Sequence, residues 1–343
     1  MSMPATRRDR SSTRKRGSSR FLPTVETVES RLLLTRVEPW LVPTIPPVIA
    51  PSPDPAVPLP DLKGTYQGLD GGLYGGGSNT PPPSQAALGN QAAAKIVPLD
   101  AQGRPSPHGR VGMLAIGQST TRIIFEPFQQ MQKDLANRSP ALTLVNGAQN
   151  GMVLQNWSTD SGPWKVALHD VRQAGLSPKQ VEVVWLETAE IRAWLYGDLQ
   201  SRIAHTVSDL GHVLRKVKDY FPNARIVFLT SRPYGGYAPT AIDPEPYAYE
   251  SGFSVRTAIQ QQIAGDPGFN ADPNKGRVVA PVALWGPYDW ANGSTPSSTG
   301  LAWYPTDFSD GVHPNLDGSL KAAGTLQNFF TTDPRAKGWY LKA

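Results

Sequence analysis

The sequence contains no cysteine among its 343 residues. This absence excludes disulfide bonds, thiolate nucleophiles and cysteine-based metal sites together. Uninterrupted apolar runs are also short, and none approaches the roughly 18 to 20 residues that a helix needs to cross a membrane. The sequence therefore predicts no transmembrane segment, and any nucleophile must come from another residue type.

Acidic residues are scarce at one end of the chain. Residues 1–20 hold seven basic residues and one acid, a charge of +6 in a chain of net charge +5, which leaves −1 for the remainder. The high isoelectric point thus belongs to this segment, and the rest gives no electrostatic argument for nucleic-acid binding. Like-charged, serine-rich sequence buries too little apolar surface to offset chain entropy. We predict that residues 1–37 form a basic disordered segment.

The same segment lacks the apolar core of a standard signal peptide. Its apolar cluster, Leu32-Leu33-Leu34, is shorter than the roughly 7 to 15 residues required. The stretch from Val28 to Leu34 nevertheless resembles the LEPR-XLL-type N-terminal segment of exported proteins in planctomycete-like bacteria. We therefore expect an export or sorting role for residues 1–37, and an extracellular, cell-surface or periplasmic location.

Proline and glycine then crowd residues 38–109. Residues 45–60 are rich in proline, residues 71–77 are rich in glycine, and Pro81-Pro82-Pro83 follows. Such sequence favours extended chain without regular pairing. It predicts a linker or an extension draped over the body, with a boundary near Gly109 and a folded domain at residues 110–343.

The remaining sequence alternates short apolar segments with amphipathic ones. We predict strands at Val111–Gly117, 141–146, Val181–Glu187, 225–231 and 278–284, and helices at 123–137, 164–174, Leu199–Tyr220, 251–264 and 315–330. Alternating strands and helices indicate an α/β fold whose parallel sheet is covered on both faces. Ligands of such sheets bind at the carboxyl ends of the strands, where strand order reverses.

Two short motifs carry candidate chemistry. Ser119 follows the first predicted strand, and Asp310-Gly311-Val312-His313-Pro314 precedes the last predicted helix. A serine hydroxyl becomes a nucleophile when an imidazole takes its proton and a carboxylate orients that imidazole. Asp310 and His313 are close enough in sequence to pair within one turn. The structural alternatives are a helix N-cap for Ser119 and a tight turn at Asp310-Gly311.

These motifs resemble those of the SGNH, or GDSL-like, hydrolases. The three matching blocks, in chain order, are Gly117-Gln118-Ser119-Thr120, Asn146-Gly147-Ala148-Gln149-Asn150-Gly151 and Asp310-Gly311-Val312-His313. The resemblance covers roughly residues 111 to 330. It implies a flavodoxin-like three-layer α/β/α sandwich with a parallel sheet of about five strands. It also implies Ser119 as nucleophile, His313 as general base and Asp310 as the residue that orients the histidine.

The chain departs from that family at two positions. Gln118 stands where the family has an acidic residue, and Trp185-Leu186-Glu187-Thr188 lacks the asparagine expected after the third strand. We expect the oxyanion hole to use the backbone N–H groups of Ser119 and Gly151. A third donor would come from the side chain of Gln149, Asn150 or Thr188.

Further polar and aromatic residues are candidates for substrate contact. Gln118 flanks the nucleophile, and Glu187 and Glu190 follow the third strand as either a second acid pair or a salt-bridged rim. Tryptophan faces stack well on sugar rings, and the tryptophans near the predicted cleft are Trp285, Trp290 and Trp303. His205 and His212 lie two helical turns apart, too far for a two-histidine metal site. We therefore predict no metal and no cofactor.

The sequence as a whole favours a serine esterase that removes an acyl group, specifically an O-acetyl group from a carbohydrate. Its partner would be a small-molecule or polysaccharide ester. Two alternatives stay open from the residues alone. One is a glycan-binding protein that kept the fold without turnover, suggested by the missing asparagine. The other is an O-acyltransferase, in which an alcohol replaces water.

Overall fold

A computed structural model describes residues 56–160, 162–239 and 242–342. The predicted basic segment at residues 1–37 and the first part of the predicted extension lie outside these ranges. Within them, no helix has the length and apolar character needed to cross a membrane.

Five parallel strands form the central sheet, and a two-stranded antiparallel ribbon precedes it. The strands are β1 (Thr65–Tyr66), β2 (Leu69–Asp70), β3 (Val111–Gly117), β4 (Leu142–Asn146), β5 (Val181–Glu187), β6 (Ile226–Thr230) and β7 (Val282–Trp285). Their order in the sheet is β4-β3-β5-β6-β7, which is the flavodoxin-like order 2-1-3-4-5. The predicted fold class is confirmed. Chain order reverses between β3 and β5, so a crevice is expected at their carboxyl ends.

Helices cover both faces of this sheet. They are α1 (Pro83–Ala94), α2 (Ser119–Met131), α3 (Leu154–Trp157), α4 (Gly162–Gln173), α5 (Leu199–Tyr220), α6 (Tyr247–Ala264), α7 (Leu316–Thr332) and α8 (Lys337–Tyr340). The N-terminus of α5 is capped by the Asp198 carboxylate, which accepts from the Ser201 N–H at 2.8 Å. Asn315 caps α7 in the same way at 3.1 Å. Both caps satisfy N–H groups that a helix leaves without partners.

Two apolar cores lie on opposite sides of the sheet, because successive strand residues point to opposite faces. Leu114 and Ile116 of β3 pack with residues of α3 to α6. Met113 and Ala115 pack with residues of α1, α2, α7 and α8. Every residue of β3 and β5 is buried, as expected for parallel strands covered on both faces.

The described part of the predicted extension packs closely on this body. The Leu59 N–H donates to the Tyr288 hydroxyl at 3.1 Å, and the Tyr249 hydroxyl donates to the Val57 carbonyl at 2.7 Å. Gln85 of α1 donates to the Ala283 carbonyl at 2.8 Å. The domain division near residue 109 stays a prediction.

Among the element boundaries that differ from the prediction, the start of α2 concerns the site and the start of β7 has a clear physical cause. Helix α2 begins at Ser119 and not at residue 123, because its first turn is polar and lies outside the apolar periodicity. Strand β7 spans Val282–Trp285 and not 278–284, since Pro281 has no N–H for the ladder. The first shift places Ser119 at the helix N-terminus.

Candidate active site

The end of β3 is held tightly against the end of β5. Gly117 has φ of +149°, and a Cβ there would lie 2.0 Å from the Glu187 carbonyl oxygen. A side chain would also meet the Thr121 hydroxyl at 2.3 Å. Only glycine fits this close approach, so the chain turns sharply into α2 and leaves Ser119 at the crevice.

Ser119, His313 and Asp310 form one hydrogen-bonded chain. Ser119 Oγ lies 2.8 Å from His313 Nε2, and His313 Nδ1 lies 2.7 Å from Asp310 Oδ2. When Nδ1–H donates to the carboxylate, Nε2 is free to accept the serine proton. The structure therefore brings together three residues separated by up to 194 positions, in the geometry of an activated serine.

The loop that carries Asp310 and His313 is fixed by its own backbone. Asp310 Oδ1 accepts from the N–H groups of Val312 at 2.9 Å and His313 at 2.7 Å. Gly311 has φ of +82°, and a Cβ there would lie 2.0 Å from the Tyr237 carbonyl oxygen. Ser309 donates from its N–H to the His313 carbonyl at 2.9 Å. These hydrogen bonds fix the Asp310 carboxylate and the His313 imidazole next to each other before a substrate binds.

The Asp310–His313 end of this hydrogen-bonded series of side chains faces solvent. The side chain of Asp310 is 55% exposed and that of His313 is 27% exposed. Partial burial raises the pKa of Asp310, but hydrogen bonds from His313 and Val312 outweigh it, so the net pKa is lowered. An ionised carboxylate at this place stabilises the imidazolium that forms when the histidine takes the serine proton.

A buried polar cluster supports the residues on either side of Ser119. Glu187 Oε2 accepts from the hydroxyls of Thr121 at 2.7 Å and Thr120 at 3.2 Å, and Arg232 pairs with Glu187 Oε1. Arg232 Nε lies 3.0 Å from Asp243 Oδ2. Burial lowers the pKa of Arg232. The two carboxylates together raise it by more than burial lowers it, so the net pKa of Arg232 is raised. The first turn of α2 is thereby tied to a charged core.

Gln118 and Glu187 belong to this cluster and not to an open surface. The Gln118 amide donates to Asp243 Oδ2 at 3.2 Å, and its oxygen accepts from the Ala189 N–H at 3.4 Å. Glu187 is 0% exposed. The polar atoms of both residues have interior partners in this structure, and their contact with a substrate stays a prediction.

The three tryptophans assigned to the cleft also lie in the interior. Trp285, Trp290 and Trp303 are all buried. Each indole N–H has an interior acceptor, namely the Leu73 carbonyl at 2.7 Å, Glu245 Oε1 at 2.7 Å and the Asp289 carbonyl at 2.8 Å respectively. Core packing accounts for all three indoles in this structure, and their role in substrate binding stays a prediction.

The expected oxyanion donors lie after two strand ends. No partner is described for the Ser119 N–H, which lies at the N-terminus of α2 where N–H groups lack intrahelical acceptors. Asn150 and Gly151 form an exposed turn after β4. The residue before this turn, Gln149, donates its N–H to the Gly117 carbonyl at 3.0 Å. No contact between this turn and Ser119 is described, so the oxyanion roles of Asn150 and Gly151 stay predictions.

The side-chain candidates for the third donor differ in availability. The Gln149 amide donates to the carbonyls of Gly147 at 3.1 Å and Pro163 at 2.9 Å, so it is committed elsewhere. The Thr188 hydroxyl is buried and has no hydrogen-bond partner among the described residues. Thr188 lies just past the end of β5 and keeps an unused donor.

Glu187 and Glu190 do not form a pair. Glu190 is 3% exposed, and its carboxylate lies beside His205 and Asp209 of α5. Burial, followed by the charge of Asp209, raises the pKa of Glu190 to about 9. Both carboxylates are buried, and of the two only Glu187 has a described salt bridge, to Arg232.

Sequence analysis missed Arg232 and Asp243. Arg232 follows β6 by two residues, and a charged residue directly after an apolar strand is a usable signal for the crevice. Asp243 lies in a proline-rich loop, 125 positions from its partner Gln118. Nothing local marks it.

Comparison with known proteins gives likeness in fold only. The sequence matches no protein-family model and no curated protein. Solved structures of similar fold include a putative acylhydrolase from Bacteroides fragilis, at 14% identity over 73% of this chain and 97% of that chain, with a TM-score of 0.35. A GDSL-like lipase from Bacteroides thetaiotaomicron matches at 11% identity over 71% and 95%, with a TM-score of 0.36.

A third such structure is an acetylxylan esterase from Geobacillus stearothermophilus, at 13% identity over 65% of this chain and 95% of that chain, with a TM-score of 0.37. Such values carry no argument about the activity of this chain. The strand order and the positions of the Ser119 and Asp310–His313 blocks at the sheet agree with the SGNH-like fold expected from the sequence.

Proposed function

We propose that this protein is a serine-dependent hydrolase of acyl esters. The observation that carries the proposal is the continuous chain of short contacts, Ser119 Oγ to His313 Nε2 at 2.8 Å and His313 Nδ1 to Asp310 Oδ2 at 2.7 Å. A structural N-cap would not require Ser119 to face an imidazole whose other nitrogen is held by a carboxylate. Together these three groups can generate a nucleophile at neutral pH.

In the first half-reaction, Ser119 Oγ attacks the ester carbonyl carbon while His313 Nε2 takes the serine proton. The carbonyl oxygen becomes an oxyanion, for which the Ser119 N–H and the unpartnered Thr188 hydroxyl are the proposed donors. Asp310 stabilises the imidazolium. Collapse of the intermediate breaks the bond to the leaving alcohol, and the alkoxide receives the proton from His313.

In the second half-reaction, a water molecule attacks the acyl-enzyme. His313 takes a proton from this water, and the new tetrahedral intermediate expels Ser119 Oγ, which recovers the proton. The products are a carboxylic acid and the free enzyme. The residues described require no cofactor for these steps.

We propose an O-acetyl group on a carbohydrate as the substrate class, with an exported location for the enzyme. The support is the open setting of the acid and the imidazole, because Asp310 is more than half exposed. A polymer-linked ester can approach such a site without entering a closed cavity. Tryptophan stacking no longer supports this choice, since the three candidate indoles are buried.

The direct test is acetate release from simple and sugar acetates by the purified protein and its Ser119→Ala variant. We expect a loss of about 10⁴-fold or more in kcat/KM with the circular dichroism spectrum unchanged. Ser231→Ala is the matched control, since Ser231 also follows a sheet strand but lies against the Asp289 N–H at 3.0 Å and has no described histidine partner. Equal turnover by the wild type and Ser119→Ala would refute the proposal.

Two further readouts separate the alternatives. A fluorophosphonate probe should label the wild type and spare Ser119→Ala, whereas saturable glycan binding without labelling would indicate a non-catalytic protein. An added acceptor sugar that captures the acyl group in place of water would indicate acyl transfer by the same three residues.

A further inference from the structure

Three potential metal ligands converge beside the end of β5. They are Glu190, which follows this strand, and His205 and Asp209, which lie on α5. One ligand atom from each side chain lies within 4.8 Å of the others. His205 and Asp209 share one face of the helix because they are four residues apart. The cluster thus joins two separate elements through side chains alone.

The atoms of this cluster lack the partners that buried polar groups require. Glu190 is 3% exposed, yet its carboxylate oxygens have no donor among the described residues, and the side chain within hydrogen-bonding reach is the carboxylate of Asp209. Nε2 of His205 is also buried without a partner. Unsatisfied buried polar groups are rare and costly, so each one calls for a missing partner. Here three unsatisfied atoms belong to one cluster.

We infer that Glu190, His205 and Asp209 bind one divalent transition-metal ion, of which Zn²⁺ is the representative. An imidazole nitrogen with carboxylate oxygens is a ligand set that zinc accepts, at about 2.0 to 2.2 Å from each atom. Ligand atoms around a tetrahedral zinc are about 3.3 Å apart. The side chains therefore need to move by only about 1 Å from the 4.8 Å spread.

Charge and space at the site fit such an ion. Two carboxylates supply the negative charge that a divalent cation neutralises, and His205 supplies a neutral nitrogen. Glu190 also lines a small cavity of about 20 Å³, together with Ala189 and Arg202 but without His205 or Asp209, so room for one water molecule adjoins the cluster at Glu190. Three protein ligands and one water complete a four-coordinate shell.

The position of the cluster gives the ion a structural role. The metal would hold the segment after β5 against α5, and the Ala189 N–H of that segment donates to Gln118, the residue before Ser119. The inference does not depend on the proposed esterase activity, because it follows from the unsatisfied atoms and their spacing. It differs from the expectation from sequence that no metal binds, which considered His205 only with His212.

The test uses the full chain, stripped with a chelator and titrated with Zn²⁺, and in parallel with Mn²⁺, by calorimetry and by metal analysis after gel filtration. We expect one ion per chain and a melting temperature that rises with metal concentration. Glu190→Gln, His205→Asn and Asp209→Asn should each weaken Zn²⁺ binding by more than about 100-fold, since each removes a direct ligand.

Matched controls change the same residue types at exposed positions. His169→Asn on α4 and Glu126→Gln on α2 should keep the affinity and stoichiometry of the wild type. Near-isosteric changes at three ligands guard against misfolding of any one variant. The inference is overturned if the wild type binds neither metal ion at concentrations up to about 100 μM, or if binding survives all three ligand substitutions.

Discussion

Glu187 and Glu190 lie three residues apart at the end of β5, and both are almost wholly buried. Glu187 has an arginine partner and accepts hydrogen bonds from two threonine hydroxyls. Glu190 has no donor for its carboxylate among the described residues, and the side chain within hydrogen-bonding reach is a second carboxylate, Asp209. The same side chain in nearly the same place is thus fully satisfied in one case and unsatisfied in the other.

The difference shows that burial alone does not identify the role of a carboxylate. Glu187 is held by interior donors, so it serves to position the first turn of α2 beside Ser119. Glu190 lacks such donors, so its carboxylate, once ionised, is available to a cation. Substitutions that remove the donors of Glu187, or the charge of Glu190, should therefore change the free energy of unfolding in opposite directions.

The largest expected effect is that of Arg232→Met, which would make Glu187 resemble Glu190. Removing one member of a buried ion pair leaves an uncompensated charge, and we expect a loss of about 3 to 5 kcal/mol in the free energy of unfolding. Urea denaturation of the wild type and the variant measures it.

The control for Arg232→Met is Arg122→Met, which breaks the exposed pair with Glu126. This pair contributes at most about 1 kcal/mol. Equal destabilisation by the two substitutions would contradict the distinction between a buried supporting cluster and a surface pair.

Much of the fold was predictable, because hydrophobic periodicity is a local signal. The bounds of β3, β5 and α5 agree with the prediction, since each is an apolar or amphipathic run with clear ends. Ser119, Asp310 and His313 could be selected because two of them share one turn and the third follows a strand. The structure adds their mutual distances, which no local pattern contains.

The surroundings of the site could not be predicted in the same way. Trp290 and Trp303 were expected at a rim, but the fate of an indole depends on which distant segments cover it. The partners of Glu187 come from α2 and from the segment after β6, 66 and 45 positions away. Whether a strand-end carboxylate gains a cation is decided by such long-range contacts.

A third buried glutamate, which lies on β5 itself, gives the next largest effect. Glu182 is buried at the start of the strand, and one of its oxygens accepts from the Val97 N–H at 3.4 Å while the other has no partner among the described residues. Burial raises its pKa from 4.5 to about 8. Glu182 thus resembles Glu190 in lacking adequate donors for a charged carboxylate.

The sign of the pH dependence follows from the raised pKa of Glu182. The folded state holds this proton more tightly than the unfolded chain, so the contribution is fully present below pH 4.5 and is lost as the pH rises towards about 8. The slope from one such group is at most about 1.4 kcal/mol per pH unit. Glu182→Gln should flatten the fall in stability between pH 5 and pH 8, as measured by urea denaturation at several pH values. An unchanged slope would assign the pH dependence to other groups.

A smaller effect is expected for Glu187→Gln. The amide keeps one acceptor but loses the charge that pairs with Arg232, leaving Asp243 as the remaining anion near the guanidinium. We expect a loss of about 1 to 3 kcal/mol in the free energy of unfolding, the usual cost of an unsatisfied buried group. Thermal and urea denaturation measure it. A variant as stable as the wild type would mean that the cluster does not depend on this charge.

The smallest effect has the opposite sign and comes from Glu190→Gln in the absence of metal. Because burial beside Asp209 raises the pKa of Glu190 to about 9, the wild-type carboxyl must take up a proton on folding at pH 8. The substitution avoids this cost, so we expect a gain of about 1 kcal/mol in the free energy of unfolding at pH 8. Urea denaturation in the presence of a chelator measures the gain. When Zn²⁺ is added, the order should reverse, because only the wild type keeps the carboxylate ligand and is stabilised by binding. A variant less stable than the wild type under both conditions would mean that Glu190 has interior donors, and it would remove the distinction from Glu187.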